Sequence, residues 1–490
     1  MPRRLLALAT LIALAACSGQ SSGGGMLPSA PEQPAASQPA DQPEQPEQSE
    51  VPSPSEESNP AFSPPQAGNG GIAQPIDDDA GLTPSNGFYP MATPNSAHPM
   101  CPPSPQFRFR CFGWIRTDLV AVPRGDAIPA GVGYTPSEIQ SAYGLNPSAG
   151  KGQTIAIVDA YGYVKAASDL AAYRKAAKLP PCTTANRCLK ILNQNGARSP
   201  LPPQPSPSNN VGMGWVYEQS VDLDAVSAAC PQCHITLIQA SSPNSLGPAV
   251  TTALRQSHIV NMSFGAPESG QSPNSGLPAH GYALVASSGD YGGGTKPQSG
   301  SSGGPQIPCS WSTVICVGGT RLTHAGASWK ETVWNDEAKR QCGSGTAPCG
   351  ATGSGCSRIV PKPSWQHDVG CRMRSSVDVS AVASVFTPLA VYNSNFKTSS
   401  SPSPWAGIGG TSLAAPIIAS VFALAGNVSS RHGAMELWQK HNSLHDVITG
   451  TNVFVPVTGP CASSVSYICI AGNGYDGPTG WGSPKGTSNF

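Results

Sequence analysis

The sequence predicts an α/β protein in which a parallel β-sheet carries helices on both faces, preceded by a disordered tether. Short, continuously apolar runs alternate with segments of helical spacing, which is typical of a sheet buried on both sides. Among 490 residues, 54 are glycine and 51 are proline, while only 11% are charged. Such a composition excludes coiled coils and helical bundles. Low-complexity sequence before about residue 98 indicates the tether.

The apolar runs predict strands, and several of them end at a polar residue. The predicted strands are 154–159, 235–240, 259–263, 283–286, 314–317 and 377–381, and the predicted helices are 169–177 and 218–229. Parallel sheets bind ligands outside the carboxyl ends of their strands. We therefore expect Asp159, Ser263 and the loop that holds Asp290 to lie at the same edge of the sheet.

Residues 1–16 have the features of an export signal. Arg3 and Arg4 precede an apolar run that ends at Leu14. At about a dozen residues this run is shorter than the roughly 20 needed to span a bilayer. The sequence from Leu14 to Cys17 resembles the lipobox of bacterial lipoproteins, in which the cysteine is lipidated. We expect an exported protein attached to a membrane through a lipid on Cys17; an ordinary signal peptide cleaved elsewhere, giving a secreted protein, is the alternative.

Residues 17–98 are predicted to be a disordered linker. They are rich in Pro, Gln and Ser, and residues 18–98 contain ten acidic side chains and no Lys or Arg. Such a segment buries too little apolar surface to offset the entropy of ordering it. From residue 99 onward the chain has a formal charge of about +8, Arg3 and Arg4 add two positive charges, and the whole chain is neutral. The chain therefore lacks the strong positive charge that is typical of a nucleic-acid-binding protein.

Fourteen cysteines remain when Cys17 is set aside, an even number that suits an oxidising compartment. Pairing of neighbours along the chain is the simplest hypothesis. One motif, Cys-Pro-Gln-Cys-His at 230–234, also has the form that attaches c-type haem, and a redox dithiol is a further alternative. A structural disulfide is favoured, because an apolar strand follows directly. The neighbouring cysteines are 101/111, 182/188, 230/233, 309/316, 342/349, 356/371 and 461/469.

A glycine-rich turn places Ser412 before an apolar helix predicted over 417–425. Glycines allow a sharp turn and close approach of a substrate. A serine at a helix N-terminus has backbone N–H groups beside it that can stabilise an oxyanion. Helix capping is an equally good explanation of Ser412 when the motif is considered alone.

Two carboxylates, Glu218 and Asp222, occur at i and i+4 on one predicted helix, with no cation at the next i+4 position. Like charges at this spacing repel each other. Two carboxylates that share a proton are one functional explanation. A solvated acidic face is the simpler alternative.

These motifs together resemble the sedolisins, the serine-carboxyl peptidases, over about residues 134–481. Glu-x-x-x-Asp at 218–222, Ser-Gly-Asp at 288–290 and Gly-Thr-Ser at 410–412 match the family's motifs in order. The segments 133–143, 317–320 and 378–381 are also typical of the family. The resemblance implies a subtilisin-like fold. Phe264 stands where the family usually has Trp, which would reshape substrate subsites.

The resemblance implies a role for each catalytic candidate. It implies that Glu218 is the general base for the Ser412 hydroxyl, and the His-Gly-Thr motif that carries the base of subtilases is absent. Asp222 orients Glu218 and shares its proton, and Asp290 lines the oxyanion hole. Only a protonated Asp290 can donate a hydrogen bond there, so the pH optimum of the activity is expected to be acidic. Asp224 and Asp159 are alternatives for the supporting carboxyl.

The C-terminal region resembles the calcium motif of the same family. The implied Ca²⁺ ligands are the carboxylates of Asp446 and Asp476 and the backbone carbonyls of Val447, Gly472 and Gly474. Oxygen ligands of this kind suit Ca²⁺. A glycine-rich turn without a metal is the alternative.

The expected organisation is a short pre-domain segment over 99–132 followed by a sedolisin-like peptidase domain over 133–490. The expected function is an exported, acid-acting serine-carboxyl endopeptidase that acts on protein or peptide substrates as a monomer. The pre-domain is shorter than the large folded propeptide of many sedolisins, and this is a departure from the family's pattern. A catalytically silent surface lipoprotein that uses the fold for binding is the alternative, and exopeptidase action is a variant within the enzyme class.

Overall fold

The computed structural model describes residues 97–116, 127–268, 276–293, 304–326, 328–336, 350–397, 403–453 and 467–490. The predicted signal peptide and Cys17 lie outside the described residues, as does the predicted linker up to residue 96. None of the helices within the described ranges has the length and apolar character needed to cross a bilayer.

The described residues form six helices and nineteen strands. The helices are α1 Pro136–Tyr143, α2 Ala166–Ala176, α3 Asn210–Ala229, α4 Leu246–Gln256, α5 Thr411–Ala425 and α6 Ala434–Gln439. The strands are β1 Ala97–Pro99, β2 Arg110–Cys111, β3 Trp114–Arg116, β4 Thr154–Ala160, β5 Leu189–Asn193, β6 His234–Ala240, β7 Ile259–Met262, β8 Phe264–Pro267, β9 Ala283–Ser287, β10 Tyr291–Gly293, β11 Gln306–Ile307, β12 Ile315–Ala325, β13 Ser328–Val333, β14 Ala351–Ser354, β15 Cys356–Pro361, β16 Met373–Ser375, β17 Val379–Val382, β18 Leu389–Tyr392 and β19 Trp405–Gly409.

The central element is an eight-stranded sheet with the order β13-β12-β9-β7-β4-β6-β5, in which β17 also pairs with β12. Neighbouring strands run parallel except at β13, which is antiparallel to β12. In β4, every residue after Thr154 is fully buried, as expected for strands that are covered on both sides. The predicted parallel sheet is confirmed.

Helices cover both faces of this sheet. Helices α3 and α5 pack against each other; α3 contacts β4, and α5 contacts β7, β9, β12 and β17. Helix α4 packs on β4, β6 and β7. Since parallel strands end at a common edge, this packing brings the first turn of α5, the middle of α3 and the end of β4 close together.

Two functional helices begin earlier than the apolar pattern predicts. Helix α3 begins at Asn210 rather than Glu218, and the side chain of Asn209 caps it by accepting a hydrogen bond from Gly212 N at 3.0 Å. Helix α5 begins at Thr411 rather than Ile417. Both helices are buried on nearly all sides, so neither start has the polar–apolar alternation that would have indicated it.

The N-terminal segment forms a hairpin that is hydrogen-bonded to strands from later in the chain. Strand β1 pairs with β3, and β3 pairs in turn with β19, while β2 pairs with β8. All of these pairs are antiparallel. Strand β1 includes Ala97 and His98, so the predicted linker ends two residues too late. Residues with no strand signal of their own become ordered here because existing strands supply the pairing partners.

Neighbouring cysteines pair as predicted. The disulfides are Cys101–Cys111, Cys182–Cys188, Cys230–Cys233, Cys309–Cys316 and Cys356–Cys371. Cys469 is also disulfide-bonded, whereas Cys342, Cys349 and Cys461 lie outside the described residues. The sulfur atoms of Cys230 and Cys233 are joined to each other within fully buried residues. This is the structural disulfide that the sequence favoured over haem attachment.

Candidate active site

Ser412 lies in the first turn of α5, directly after the turn at Gly410. Gly410 has φ of 93°, and a Cβ there would overlap the carbonyl oxygen of Phe112, so glycine is required. Ser412 is fully buried. Its hydroxyl donates to the carbonyl of Ser263 at 3.1 Å and accepts from the amide of Phe112 at 3.1 Å. The serine therefore lies at a helix N-terminus with backbone N–H groups beside it, which are donors of the kind that stabilise an oxyanion.

Glu218 projects from α3 and is fully buried. Burial raises the pKa of its carboxyl well above the ordinary value, and the neighbouring carboxyls of Asp222 and Asp159 raise it further. The nearby Ser412 hydroxyl opposes this rise, although its own hydrogen bond goes to Ser263. Among the described residues, neither oxygen of Glu218 has a partner in hydrogen-bond geometry.

Asp222 lies one turn further along α3 and is held by two side chains from the end of β7. Asn261 Nδ2 donates to its Oδ2 at 2.8 Å, and Ser263 Oγ donates to its Oδ1 at 2.7 Å. Burial and Asp159 raise the pKa of Asp222, and these two hydrogen bonds oppose the rise. The sequence analysis did not identify Asn261. The feature of the sequence that could have identified Asn261 was a single amide side chain inside an otherwise apolar strand, Ile-Val-Asn-Met.

Asp159 is a third carboxyl in this cluster, at the carboxyl end of β4. It is fully buried, and its two oxygens have no hydrogen-bond partner among the described residues. Burial raises its pKa well above the ordinary value. Asp224 points elsewhere, because it accepts from the Tyr392 amide at 2.9 Å and lies near Asp169 and Arg174. Of the two alternative carboxyls, only Asp159 belongs to the site.

Asp290 follows β9 and reaches the first turn of α5 from the other side. Its Oδ1 accepts from Thr411 N at 2.9 Å and from Thr411 Oγ1 at 2.7 Å. Burial raises its pKa to about 7, against the lowering effects of Thr411, Arg110 and Trp114. Its Oδ2 has no hydrogen-bond partner among the described residues and lies 3.0 Å from the position of a Cβ on Gly410. The Phe112 carbonyl approaches the same position.

The two carboxyls predicted to bind calcium each accept a hydrogen bond from the glycine-rich loop at 472–474. Asp446 Oδ2 accepts from Gly474 N at 2.7 Å, and Asp476 Oδ2 accepts from Gly472 N at 3.2 Å. The Asp446 Oδ1 atom is buried without a hydrogen-bond partner among the described residues. Burial raises the pKa of Asp476 well above its ordinary value, and the nearby Asp446 adds to the rise. A buried carboxylate oxygen without a partner, near a second carboxylate, fits a cation.

Backbone carbonyls would have to complete that cation site. Within the described ranges, no group of three or more His, Cys, Asp or Glu side chains could hold a metal. Two carboxylates supplemented by carbonyls of Val447, Gly472 and Gly474 match the oxygen ligands that Ca²⁺ accepts. The residues present therefore fit the group.

The chain matches peptidases in sequence. The family model described as the subtilase family matches residues 214–478. Kumamolisin of Bacillus sp. (strain MN-32) is 28% identical over 395 residues, covering 72% of this chain and 62% of that protein. Sedolisin of Pseudomonas sp. (strain 101) is 27% identical over 385 residues, covering 72% of this chain and 60% of that protein. The chain thus spans about three fifths of the length of these curated relatives.

The fold is also found in a solved structure. The chain is similar to Pseudomonas sedolisin, a serine-carboxyl proteinase complexed with two molecules of pseudo-iodotyrostatin, with a TM-score of 0.57 and 24% identity. This similarity covers 72% of this chain and 96% of the other. The subtilase-family match includes all four catalytic candidates, and the two curated relatives support the sedolisins within that family. The chain belongs to the subtilase family and, within it, to the sedolisins.

Proposed function

We propose that the protein is an acid-acting serine-carboxyl endopeptidase that hydrolyses protein or peptide substrates through an acyl-enzyme on Ser412. One observation carries the proposal: Ser412 lies at a helix N-terminus between a buried carboxyl cluster and the separate buried carboxyl of Asp290. A serine hydroxyl needs an adjacent base to become a nucleophile. Glu218 is the carboxyl beside it.

Glu218 takes the Ser412 proton as the hydroxyl attacks, and it returns that proton to the leaving amine. A carboxyl with a raised pKa is a stronger base than an ordinary one. Glu218, Asp222 and Asp159 interact closely, so they titrate as a unit. Asn261 and Ser263 donate to Asp222, which makes it the favoured site of the negative charge when Glu218 is protonated.

Asp290 stabilises the oxyanion together with the amide of Ser412. A neutral carboxyl can donate from Oδ2, whereas a carboxylate would repel the developing charge. Since the pKa of Asp290 is raised to about 7, the donor form predominates in acid and is lost as the pH rises through neutrality. The expected pH profile is therefore highest below pH 7.

Calcium, export and anchoring complete the proposal. Ca²⁺ bound by Asp446, Asp476 and the carbonyls of Val447, Gly472 and Gly474 would stabilise the C-terminal loops and take no part in the chemistry. The disulfides support an oxidising compartment. We propose that the protein is exported, carries a lipid on Cys17 and acts as a monomer.

The test is a pH profile of cleavage of a denatured protein, from about pH 3 to pH 7. Wild type is compared with Ser412→Ala and Glu218→Gln, each checked for folding by circular dichroism. Activity that peaks in acid and is abolished by both substitutions supports the mechanism. Activity that survives Glu218→Gln but not Ser412→Ala would mean that another group is the base. Folded, calcium-loaded protein without activity would instead favour a silent binding lipoprotein.

A further inference from the structure

Two glutamines form a buried pair beside the candidate base. Gln219 follows Glu218 on α3, and Gln239 lies on β6. Both side chains are inside the protein, with exposures of 0% and 1%. Gln239 Nε2 donates to Gln219 Oε1 at 2.9 Å. Neither glutamine moves a proton in the proposed mechanism, so the chemistry alone does not explain why two amides are buried here.

The amide nitrogen of Gln219 is directed at the end of β4. It donates to the carbonyl of Ala160 at 3.1 Å and to that of Tyr161 at 3.3 Å. It also lies 3.3 Å from the carbonyl oxygen of Trp215, one turn earlier on α3. Ala160 and Tyr161 directly follow Asp159 in the sequence. One side chain thus joins α3 to the strand that carries Asp159.

Gln239 fixes the direction in which the Gln219 amide points. Because an amide nitrogen can only donate, the atom of Gln219 that faces Gln239 Nε2 must be the oxygen. The nitrogen of Gln219 then faces the carbonyls at the end of β4, which can only accept. A reversed amide would place an oxygen against these carbonyl oxygens and leave buried groups without partners, which is costly. The contact of Gln219 with β4 therefore depends on Gln239.

Gln239 is also the neighbour of Asp159 in the sheet. The register of β4 and β6 pairs Asp159 with Gln239. The amide nitrogen of Gln239 nevertheless donates to Gln219, and both oxygens of Asp159 have no hydrogen-bond partner among the described residues. The two glutamines thus hold the backbone that follows Asp159 and leave its carboxyl to the cluster.

The end of β4 needs this support because Tyr161 has an unfavourable backbone conformation. Its φ is 64°, in the left-handed region that residues with a Cβ seldom adopt. Its amide donates to Ala240 O at 2.6 Å, and its carbonyl accepts from Gln219. Strained conformations persist only where their surroundings hold them, and they cluster at active sites. Loss of the bond from Gln219 would let the chain relax directly after Asp159.

The position of Asp159 influences how the candidate base titrates. Burial is the main cause of the raised pKa of Glu218, and Asp222 and Asp159 raise it further. Asp290 adds a smaller effect. Burial and Asp159 likewise raise the pKa of Asp222. Since interactions between charges weaken with distance, the effects of Asp159 depend on where the end of β4 is held.

We propose that Gln219 and Gln239 are positioning residues, whose paired amides hold the end of β4 against α3 and thereby keep the carboxyl of Asp159 beside that of Glu218. The inference rests on the proposed function, because it concerns the base of that reaction. The glutamines act through the geometry of the carboxyl cluster. Their loss should therefore change the rate of the chemical step and its dependence on pH.

The rate should fall while substrate binding is retained. Gln219→Met keeps the length of the side chain and removes its hydrogen bonds. A displacement of about 1 Å at a catalytic group can lower the rate about 100-fold, so kcat should fall about 10- to 100-fold. KM should change by less than about 2-fold, because the lost interaction acts on the chemical step. Gln239→Met should have a smaller effect of the same kind, since Gln219 keeps its own donors.

The pH profile of kcat/KM separates positioning from a general loss of stability. Its acid limb reports the carboxyl cluster, which must lose a proton before Glu218 can act as a base. A like charge that moves from about 5 Å to about 6 Å, at an effective dielectric constant of about 20, changes a titration midpoint by about 0.4 pH unit. The acid limb should therefore move to lower pH by about this amount as Asp159 moves away. The alkaline limb reports Asp290, which is held by Thr411, and should not move.

The test is steady-state cleavage of a fluorogenic peptide by the full chain, from about pH 2 to pH 8. Wild type is compared with Gln219→Met, Gln239→Met and the double variant, and circular dichroism and Tm report folding. Because the two amides act together, the double variant should move the acid limb no further than Gln219→Met alone. Gln366→Met is the matched control, since it removes a buried amide that bonds the backbone of Ser375 through both ends. It should lower Tm and leave the acid limb in place.

The outcomes distinguish this inference from the proposed function. Folded Gln219→Met with unchanged kcat and an unmoved acid limb overturns the positioning role and leaves the peptidase mechanism intact. A loss of activity that is equal at every pH also overturns it, because such a loss reports stability alone. If Gln219→Met does not fold, the milder Gln239→Met decides by the same two readouts. Wild-type activity that survives Glu218→Gln overturns the proposed base, and the positioning role with it.

Discussion

Replacing Asp290 with asparagine should remove a large pH-dependent loss of stability. The change keeps an oxygen that can accept both hydrogen bonds from Thr411 and replaces the unpartnered Oδ2 with an amide that cannot ionise. Burial raises the pKa of Asp290 from 3.8 to about 7. A rise of this size corresponds to about 4 kcal/mol between the two protonation states.

The sign follows from the direction of the rise. A carboxyl whose pKa is higher in the folded protein than in the unfolded chain stabilises the fold in acid. Its full contribution is present when the pH is below the pKa of the unfolded chain, and it is lost as the pH rises through the pKa of the folded protein. Wild type should therefore lose about 4 kcal/mol, relative to Asp290→Asn, between about pH 4 and pH 8. Other buried carboxyls, such as Glu218 and Asp222, titrate in both proteins and largely cancel in the difference.

The assay is urea unfolding at several pH values from about pH 4 to pH 8, followed by circular dichroism. Both proteins carry Ser412→Ala so that proteolysis does not distort the equilibrium. The quantity of interest is the difference in the free energy of unfolding between the two proteins at each pH. A difference that does not change with pH would refute the reasoning, because it would mean that neighbours such as Arg110 fully compensate the ionised carboxyl.

Three further changes test the stability contributed by another carboxyl, the positioning of the carboxyl cluster and the calcium site. Glu436→Gln should lower the free energy of unfolding by up to about 1 kcal/mol near neutral pH and not at all in strong acid. The reason is that hydrogen bonds from Lys440 and Arg431 outweigh the effect of burial and lower the pKa of Glu436. Urea unfolding measures this difference, and a loss of stability that grows in acid would contradict the prediction. Asn261→Leu removes a donor to Asp222 and should lower kcat/KM about 10- to 100-fold in a folded protein; unchanged steady-state kinetics would show that Asn261 does not position the cluster. Chelation of calcium with EGTA should lower Tm, since a ligand at 100 times its Kd adds about 2.7 kcal/mol to the free energy of unfolding. Differential scanning fluorimetry measures this shift, and Asp446→Asn should abolish it. A chelator effect that persists in Asp446→Asn would place the cation elsewhere.

The sequence indicated the fold and much of the candidate site because both depend on local patterns. Continuous apolar runs predicted the strands, since a strand buried on both faces has few polar residues wherever it lies. The spacing of Glu218 and Asp222 put both carboxyls on one helix face irrespective of tertiary structure. The pairing of near cysteines was predictable for the same reason, because short loops limit the available partners.

The sequence was less informative where helices are buried all round. The starts of α3 and α5 were placed eight and six residues too late, since a helix without a polar face has no amphipathic period to reveal its ends. Asn261 was overlooked because its significance comes from Asp222 on another element. The linker boundary was misplaced because β1 becomes a strand only through pairing with β3.

By itself, the sequence predicted a parallel α/β fold, the candidate nucleophile and the carboxyl pair, since each has its pattern within a few consecutive residues. Only the tertiary structure decided which carboxyls join that pair, with Asp159 inside the cluster and Asp224 outside it. It also decided that Phe112 contacts Ser412 across 300 residues of chain. Contacts at such separations depend on how whole strands pair, and strand pairing has no signature in the residues of one strand alone.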